Sequence, residues 1–163
     1  NNGYRLDGNA MSALAGSEQD PNVVYAASSP KLQRPHIYRT ANGGDTWRQI
    51  TRDLPDRFPT DLAVDPNNDL IAYVIFGGFE TSHVFRTENG GESWEDIGQN
   101  LPDVPTWSIT VNPNNSSHLF VGNEIGVYQS IDSGKNWQNI NGNLPDAVFA
   151  IDLIVSRSNR IGR

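Results

Sequence analysis

Four carboxylates, Asp61, Glu80, Glu124 and Asp152, are the groups in this chain best suited to act as general acid and base. Hydrolysis of a glycosidic bond by that chemistry takes two carboxyl groups about 5 to 10 Å apart, one to protonate the leaving oxygen and one to attack or to activate water. Their spacing along the chain singles out no pair, so they stand as weak catalytic candidates. A second set suits binding: Arg34, Arg57, Phe58, Phe79, Glu80, Trp107, Glu124 and Phe149, with Lys31 nearby, mix aromatic faces with charges. Such a mixture fits a sugar ring or peptide side chains equally well. The competing expectation is packing, with Trp107 and Phe149 between layers of structure and the charges at solvated loop ends.

Other chemistries are set aside by composition. The 163 residues contain no cysteine, which removes disulfides, thiolate nucleophiles and Cys-ligated zinc. Twelve basic against nineteen acidic side chains give a net charge of −7, and Lys31 and Lys135 are the lysines, so a phosphate-neutralising surface for nucleic acid is not expected. No run approaches the roughly 20 apolar residues that span a bilayer, so membrane insertion is not expected either. Neither a metal nor a cofactor is expected. His36 and His83 recur at equivalent repeat positions, which points to packing or solvent contact. The oxygens of Asp65, Asp69 and Asp132 lack calcium-loop spacing. Asn114 and Asn115 open formal glycosylation acceptors.

The elements that must position these residues emerge from self-similarity. His36-Ile-Tyr-Arg-Thr-Ala-Asn-Gly-Gly-Asp-Thr-Trp47 is echoed by His83-Val-Phe-Arg-Thr-Glu-Asn-Gly-Gly-Glu-Ser-Trp94 and by Val127-Tyr-Gln-Ser-Ile-Asp-Ser-Gly-Lys-Asn-Trp137. A Leu-Pro-Asp follows each at constant offset, with prolines at Pro55, Pro102 and Pro145. A turn signal precedes each: Asp20-Pro21-Asn22, Asp65-Pro66-Asn67 and Asn112-Pro113-Asn114. The short Val-, Ile-, Phe- and Tyr-rich runs between these landmarks read as strands. They are 11–15, 23–27, 36–40 and 47–50 in the first unit, 61–64, 70–76, 83–87 and 94–97 in the second, and 107–111, 119–122, 127–130 and 137–140 in the third. Four strands every ~45 residues is the size of one propeller blade. The expected fold class is therefore all-β, a β-propeller of four-stranded antiparallel blades. Blades fall at 10–52, 58–99 and 105–142, and a further blade starts at 147–163, its first strand at 148–155.

Between third and fourth strands each unit carries Ser/Thr-x-Asp/Asn-x-Gly-x-x-Trp: Thr40, Asn42, Gly44, Trp47; Thr87, Asn89, Gly91, Trp94; Ser130, Asp132, Gly134, Trp137. The Asx oxygen can accept backbone N–H bonds, Gly can take a positive φ, and Trp offers an apolar anchor. The pattern resembles the Asp-box, or BNR repeat, of sialidases, sortilin-like ectodomains and two-propeller xyloglucanases, and covers nearly the whole chain. The resemblance implies a structural role for these twelve residues and an extracellular or envelope location. A sialidase-like site would need an arginine cluster and a Tyr nucleophile. Here Arg39 and Arg86 occupy one repeated strand position, Tyr38 shares its position with Phe85 and Tyr128, and the Arg-Ile-Pro signature is absent.

Propeller connectivity sends the loops between strands 2 and 3, and those between strand 4 and the next strand 1, to one face. The Asp-box and Asp-Pro-Asn turns go to the other. All the binding candidates fall on the first face, where loops on a rigid scaffold concentrate binding residues. Three blades with a piece on each side fall short of the roughly four to eight that close a propeller. The expected partners are thus a protein or glycan ligand, together with remaining blades of the same protein or further copies of the chain in a homo-oligomer. The expected function is a non-catalytic binding or scaffold module. The alternative is part of a glycoside hydrolase whose catalytic residues lie partly in other blades. Enzymatic activity of this chain alone is not expected.

Overall fold

Leu70 to Phe76 is a nearly unbroken apolar run, and the fold explains why it lacks the alternation of a half-exposed strand. In the computed structural model, which describes residues 8–30, 33–145 and 148–156, this run lies in the central sheet and both its faces are covered. Ala72, Val74 and Phe76 pack with Val23, Tyr25, Ile37 and Ile50 of the sheet before it. Tyr73 and Ile75 pack with Ile109, Val111, Leu119 and Val121 of the sheet after it. Successive residues of a strand point to opposite faces, so a strand buried on both sides must be apolar throughout.

The first sheet holds β1 (Met11–Gly16), β2 (Val24–Ser28), β3 (Ile37–Thr40) and β4 (Arg48–Gln49). The second holds β5 (Pro59–Asp65), β6 (Asn68–Phe76), β7 (Val84–Thr87) and β8 (Glu95–Asp96). The third holds β9 (Thr106–Val111), β10 (Leu119–Asn123), β11 (Gly126–Ser130) and β12 (Gln138–Asn139). Each is an antiparallel meander in chain order. The first strands lie side by side, β1 against β5 and β5 against β9. The architecture is all-β, three propeller blades, as the sequence predicts.

The turn before each fourth strand is built the same way three times. Thr40 Oγ1 accepts from Gly44 N at 3.0 Å, and Asn42 Oδ1 accepts from Thr46 N at 2.9 Å. Thr87 with Gly91, Asn89 with Ser93, Ser130 with Gly134 and Asp132 with Asn136 repeat this at 2.8 to 3.0 Å. The glycines have two reasons to be glycine. Gly91 has φ +85° and Gly134 φ +91°, and a Cβ on either would fall 2.5 Å from Cδ1 of Ile50 or Ile97 in the preceding blade. The tryptophan reaches the same neighbour: Trp94 Nε1 donates to Ile50 O at 2.8 Å, and Trp137 Nε1 to Ile97 O at 2.6 Å. For Trp47 no earlier blade is present among the described residues, and its indole lies beside its own Gly44.

One departure from expectation concerns the fourth strands. They were expected to span four residues, yet β4, β8 and β12 have two each. Ile50 N, Ile97 N and Ile140 N still donate to Ile37 O, Val84 O and Val127 O, so one further ladder bond follows each two-residue strand. A second departure concerns the further blade. Residues 148–156 carry no assigned strand. Ala150 N donates to Asn123 O at 3.0 Å, and Ser108 Oγ to Ala150 O at 3.4 Å, so the segment sits on the third blade without a second strand to pair with. Residues 1–7, Lys31, Asp146 and Ala147, and the expected turn from Arg157 onward lie outside the described residues.

Candidate functional site

The connector from β4 to β5 and the loop from β6 to β7 meet on one face of the second blade. Gly77 N donates to Phe58 O at 2.9 Å, and a Cβ on Gly78 would sit 3.5 Å from Cδ of Arg57, so the Arg57 side chain lies against that glycine. Gly78 at φ +99° and Glu80 at φ +57° turn the loop sharply. The turn leaves Phe79 56% exposed, and Phe58 on the adjoining connector is 54% exposed. Glu80, a non-glycine residue at positive φ, would be costly unless something fixed it, and Asp103 does. Its Oδ1 and Oδ2 each accept from Glu80 N at 2.9 Å.

Behind the loop, buried His83 completes the clamp. Its Nδ1 donates to Phe76 O at 3.1 Å, and its Nε2 faces Asp103 Oδ1 at 3.1 Å. The Glu80 N–H bond above all, with help from His83, holds the Asp103 carboxyl below the usual carboxylate range. Neither residue was among the site candidates. Asp103 belongs to the repeated Leu-Pro-Asp, and His83 to a repeated strand position. The signal was present in two in-phase repeats, but sequence does not tell that they meet.

The remaining binding candidates are spread along the same side. Arg34 Nη2 donates to the carbonyls of Arg52 and Leu54 at 3.1 and 2.5 Å, which ties it to the connector leaving its own blade. Trp107 lies near the start of β9, as expected, and is half-buried, with its indole N–H enclosed. Glu124 sits in the tight turn between β10 and β11, next to Asn123, which holds Ala150 and thereby Phe149. Phe149 is 61% exposed, and Ile151 and Ile154 of the same segment are exposed with it. Lys31 lies outside the described residues.

The four weak catalytic candidates are not brought together as a free set. Asp61, on β5, accepts from Leu62 N at 2.8 Å and from Ile109 N of the neighbouring blade at 3.1 Å. Both oxygens thus serve the backbone. Burial pushes its carboxyl above the usual range, against those two N–H bonds, and the charge of Asp152 pushes the same way. Asp61 and Asp152 are therefore within electrostatic reach, and Asp152 is exposed. Glu80 and Glu124 stand on separate loops. Among the described residues, no group of three or more His, Cys, Asp or Glu side chains is clustered as a metal site, and no helix is long and apolar enough to cross a membrane.

The opposite face carries the box turns and the turns between first and second strands, joined by Gly43 N to Asn22 O, Gly90 N to Leu70 O and Ser133 N to Ser117 O at 2.9 to 3.0 Å. A cavity of about 320 Å³ opens on that side, between Glu18, Ala63, Pro66, Thr110, Pro113 and Val155. It contains none of the predicted site residues.

No family model matches the chain, and no curated protein matches it. Solved structures do. The GH74 xyloglucanase from Xanthomonas campestris superposes with a TM-score of 0.66 at 18% identity, over 83% of this chain and 24% of its own. The GH74 enzyme of Niastella koreensis gives 0.67 at 20%, over 84% and 23%. YCF48 bound to D1 peptide gives 0.61 at 21%, over 80% and 40%. The chain spans about a quarter of those GH74 chains and two-fifths of that YCF48 chain. What these proteins share with it at such identities is the all-β fold, which hosts unrelated functions.

Proposed function

We propose that this chain is a non-catalytic binding module that recognises a protein segment or a glycan with the face formed by the β4–β5 connector, the β6–β7 loop and the segment around Phe149. One observation carries the reading. Among the described residues, the aromatic side chains more than a third exposed are Phe58, Phe79 and Phe149, and all three belong to that face. Exposed aromatics on a loop clamped by His83 and Asp103 cost solvation in the free protein, and a ligand that covers them recovers it. Arg57, Glu80 and Glu124 border the rings, while Arg34 and Trp107 support the scaffold behind them. The YCF48 structure in complex with a peptide is compatible with this use of the fold.

The twelve turn residues are read as Asp-boxes of the BNR type, with blades at 10–52, 58–99 and 105–142. They act as joints between blades and have no role in binding. An extracellular or envelope location and further blades, from the same protein or from other copies, belong to the same proposal.

A second reading rests on Asp61 and Asp152, which interact electrostatically, and on the similarity to GH74 enzymes. In it the chain contributes to a glycoside hydrolase. The bonding of both Asp61 oxygens to backbone N–H groups disfavours this, because a general acid must offer a proton to the leaving oxygen.

The test is to probe immobilised peptide and glycan arrays in parallel with the wild-type chain and with Phe58→Ala/Phe79→Ala. Ligands that bind the wild type and are lost from the variant, whose unfolding curve is unchanged, are the expected result. Ligands that bind both equally, or no ligand at all, would contradict the proposal, and xyloglucan hydrolysis abolished by Asp61→Asn would favour the second reading.

A further inference from the structure

The face with the three exposed phenylalanines is also unevenly charged. Asp53 and Asp56 lie on the β4–β5 connector, Glu80 on the β6–β7 loop and Glu124 on the β10–β11 turn, and among the described residues none of these four carboxylates is held by a hydrogen bond or ion pair. Among the described residues, the two arginines of that side, Arg34 and Arg57, hydrogen-bond to backbone carbonyls and form no ion pair with these carboxylates. Arg34 is bound to two backbone carbonyls, and Arg57 lies on Gly78 with Nη1 donating to Asp56 O at 3.1 Å. Glu92, by comparison, is paired with both Arg48 and Arg52.

We infer that the ligand of the aromatic face is a polypeptide segment in which lysine or arginine adjoins large apolar side chains. The inference rests on the proposed binding function and adds the ligand's chemistry. Gly77 N bonds Phe58 O and Arg57 lies on Gly78, so the connector that carries Asp56 and Phe58 adjoins the loop that carries Phe79 and Glu80. A neutral glycan could stack on the rings, yet it would partly desolvate these carboxylates with no cation to compensate, and such burial is costly. A cationic side chain satisfies them, gains attraction to the ring faces, and is steered by a chain whose net charge is −7. The Asp103 clamp keeps Phe79 and Glu80 in place before binding, so little ordering entropy is spent at that moment.

The test is to pan a random peptide library on the intact chain at low ionic strength and to screen a neutral-glycan array alongside it. Enriched peptides should combine Lys or Arg with Leu, Ile, Phe or Trp. Their affinity should fall about tenfold or more in Phe58→Ala/Phe79→Ala, and severalfold in Asp56→Asn/Glu80→Gln or on raising salt beyond the screening range. The charge variant separates the readings, because Asp56 and Glu80 carboxylates bear no structural bond. Enrichment of acidic or neutral peptides through the same phenylalanines would overturn the inference and leave the binding function standing. Glycans bound in place of peptides, again lost with the phenylalanines, would do the same. Binding of neither would overturn both.

Discussion

Asp132 occupies the turn position filled by Asn42 and Asn89 in the other blades, and its partner has changed with it. Asn42 and Asn89 donate their side-chain amides to Thr46 Oγ1 and Ser93 Oγ at 2.9 Å, whereas Asp132, which can only accept, receives Asn136 Nδ2 at 2.7 Å. The Asn136 side chain, the Asn136 backbone N–H and the Ser130 hydroxyl, in that order, draw its carboxyl down from 3.8 to about 2. The folded value lies below the unfolded one, so the ionised carboxylate stabilises the turn at neutral pH. That contribution is present above about pH 4 and is lost as pH falls through about 2. Carbon-detected NMR titration should find the Asp132 carboxyl midpoint near 2, and a midpoint at the ordinary value would refute the arrangement. Asp61 has the opposite sign. Burial raises it, so the folded state gives up stability as pH rises through its folded value. Asp61→Ala should remove that decline. It should also cost about 1 to 3 kcal/mol in urea unfolding, because the Leu62 and Ile109 N–H groups lose their acceptor.

At the scale of elements, cohesion between blades depends on a tryptophan and a glycine of one blade meeting an isoleucine of the one before. Trp94→Ala should destabilise the chain by about 3 kcal/mol, and Trp94→Phe by about 1, since it keeps the ring and loses the bond to Ile50 O. Gly91→Ala combines a positive φ with a Cβ 2.7 Å from Ile50 Cβ, an atom fixed to the backbone, and should cost about 2 to 4 kcal/mol. Glu92→Gln breaks an exposed ion pair and should leave the midpoint of unfolding unchanged. Chemical denaturation of the four variants in one buffer ranks them. An equal effect of Glu92→Gln and Gly91→Ala would show that the joint is ionic rather than steric. These joints were legible in the sequence because three copies of an Asx-Gly-Trp turn keep phase, and each residue type there has a local reason. The two-residue fourth strands were not, since Ile50, Ile97 and Ile140 carry each apolar run one residue past the last paired position. The clamp of Asp103 on the Phe79 loop was equally hidden. It depends on a connector of the second blade returning beneath a loop twenty residues earlier, which no local pattern encodes.

For the whole molecule, the sequence placed loops on two faces correctly in outline and could not weigh them. Phe149 illustrates the difficulty. Its type and repeat position suit a packed residue as well as an exposed one, and only the structure shows its ring exposed. On the proposed reading, Phe58, Phe79, Glu80 and Arg57 carry the binding, with Phe149 and Glu124 alongside, while Arg34 is held by backbone carbonyls and Trp107 is half-buried in β9. The most direct test of binding through this face is chemical-shift mapping of the ¹⁵N-labelled chain against the tightest ligand from the arrays. The account predicts the largest amide shifts at Phe58, Gly78, Phe79, Glu80, Glu124 and Phe149. Shifts centred instead on Glu18, Ala63, Thr110 and the turns at Asn42, Asn89 and Asp132 would place the ligand on the opposite face and contradict it.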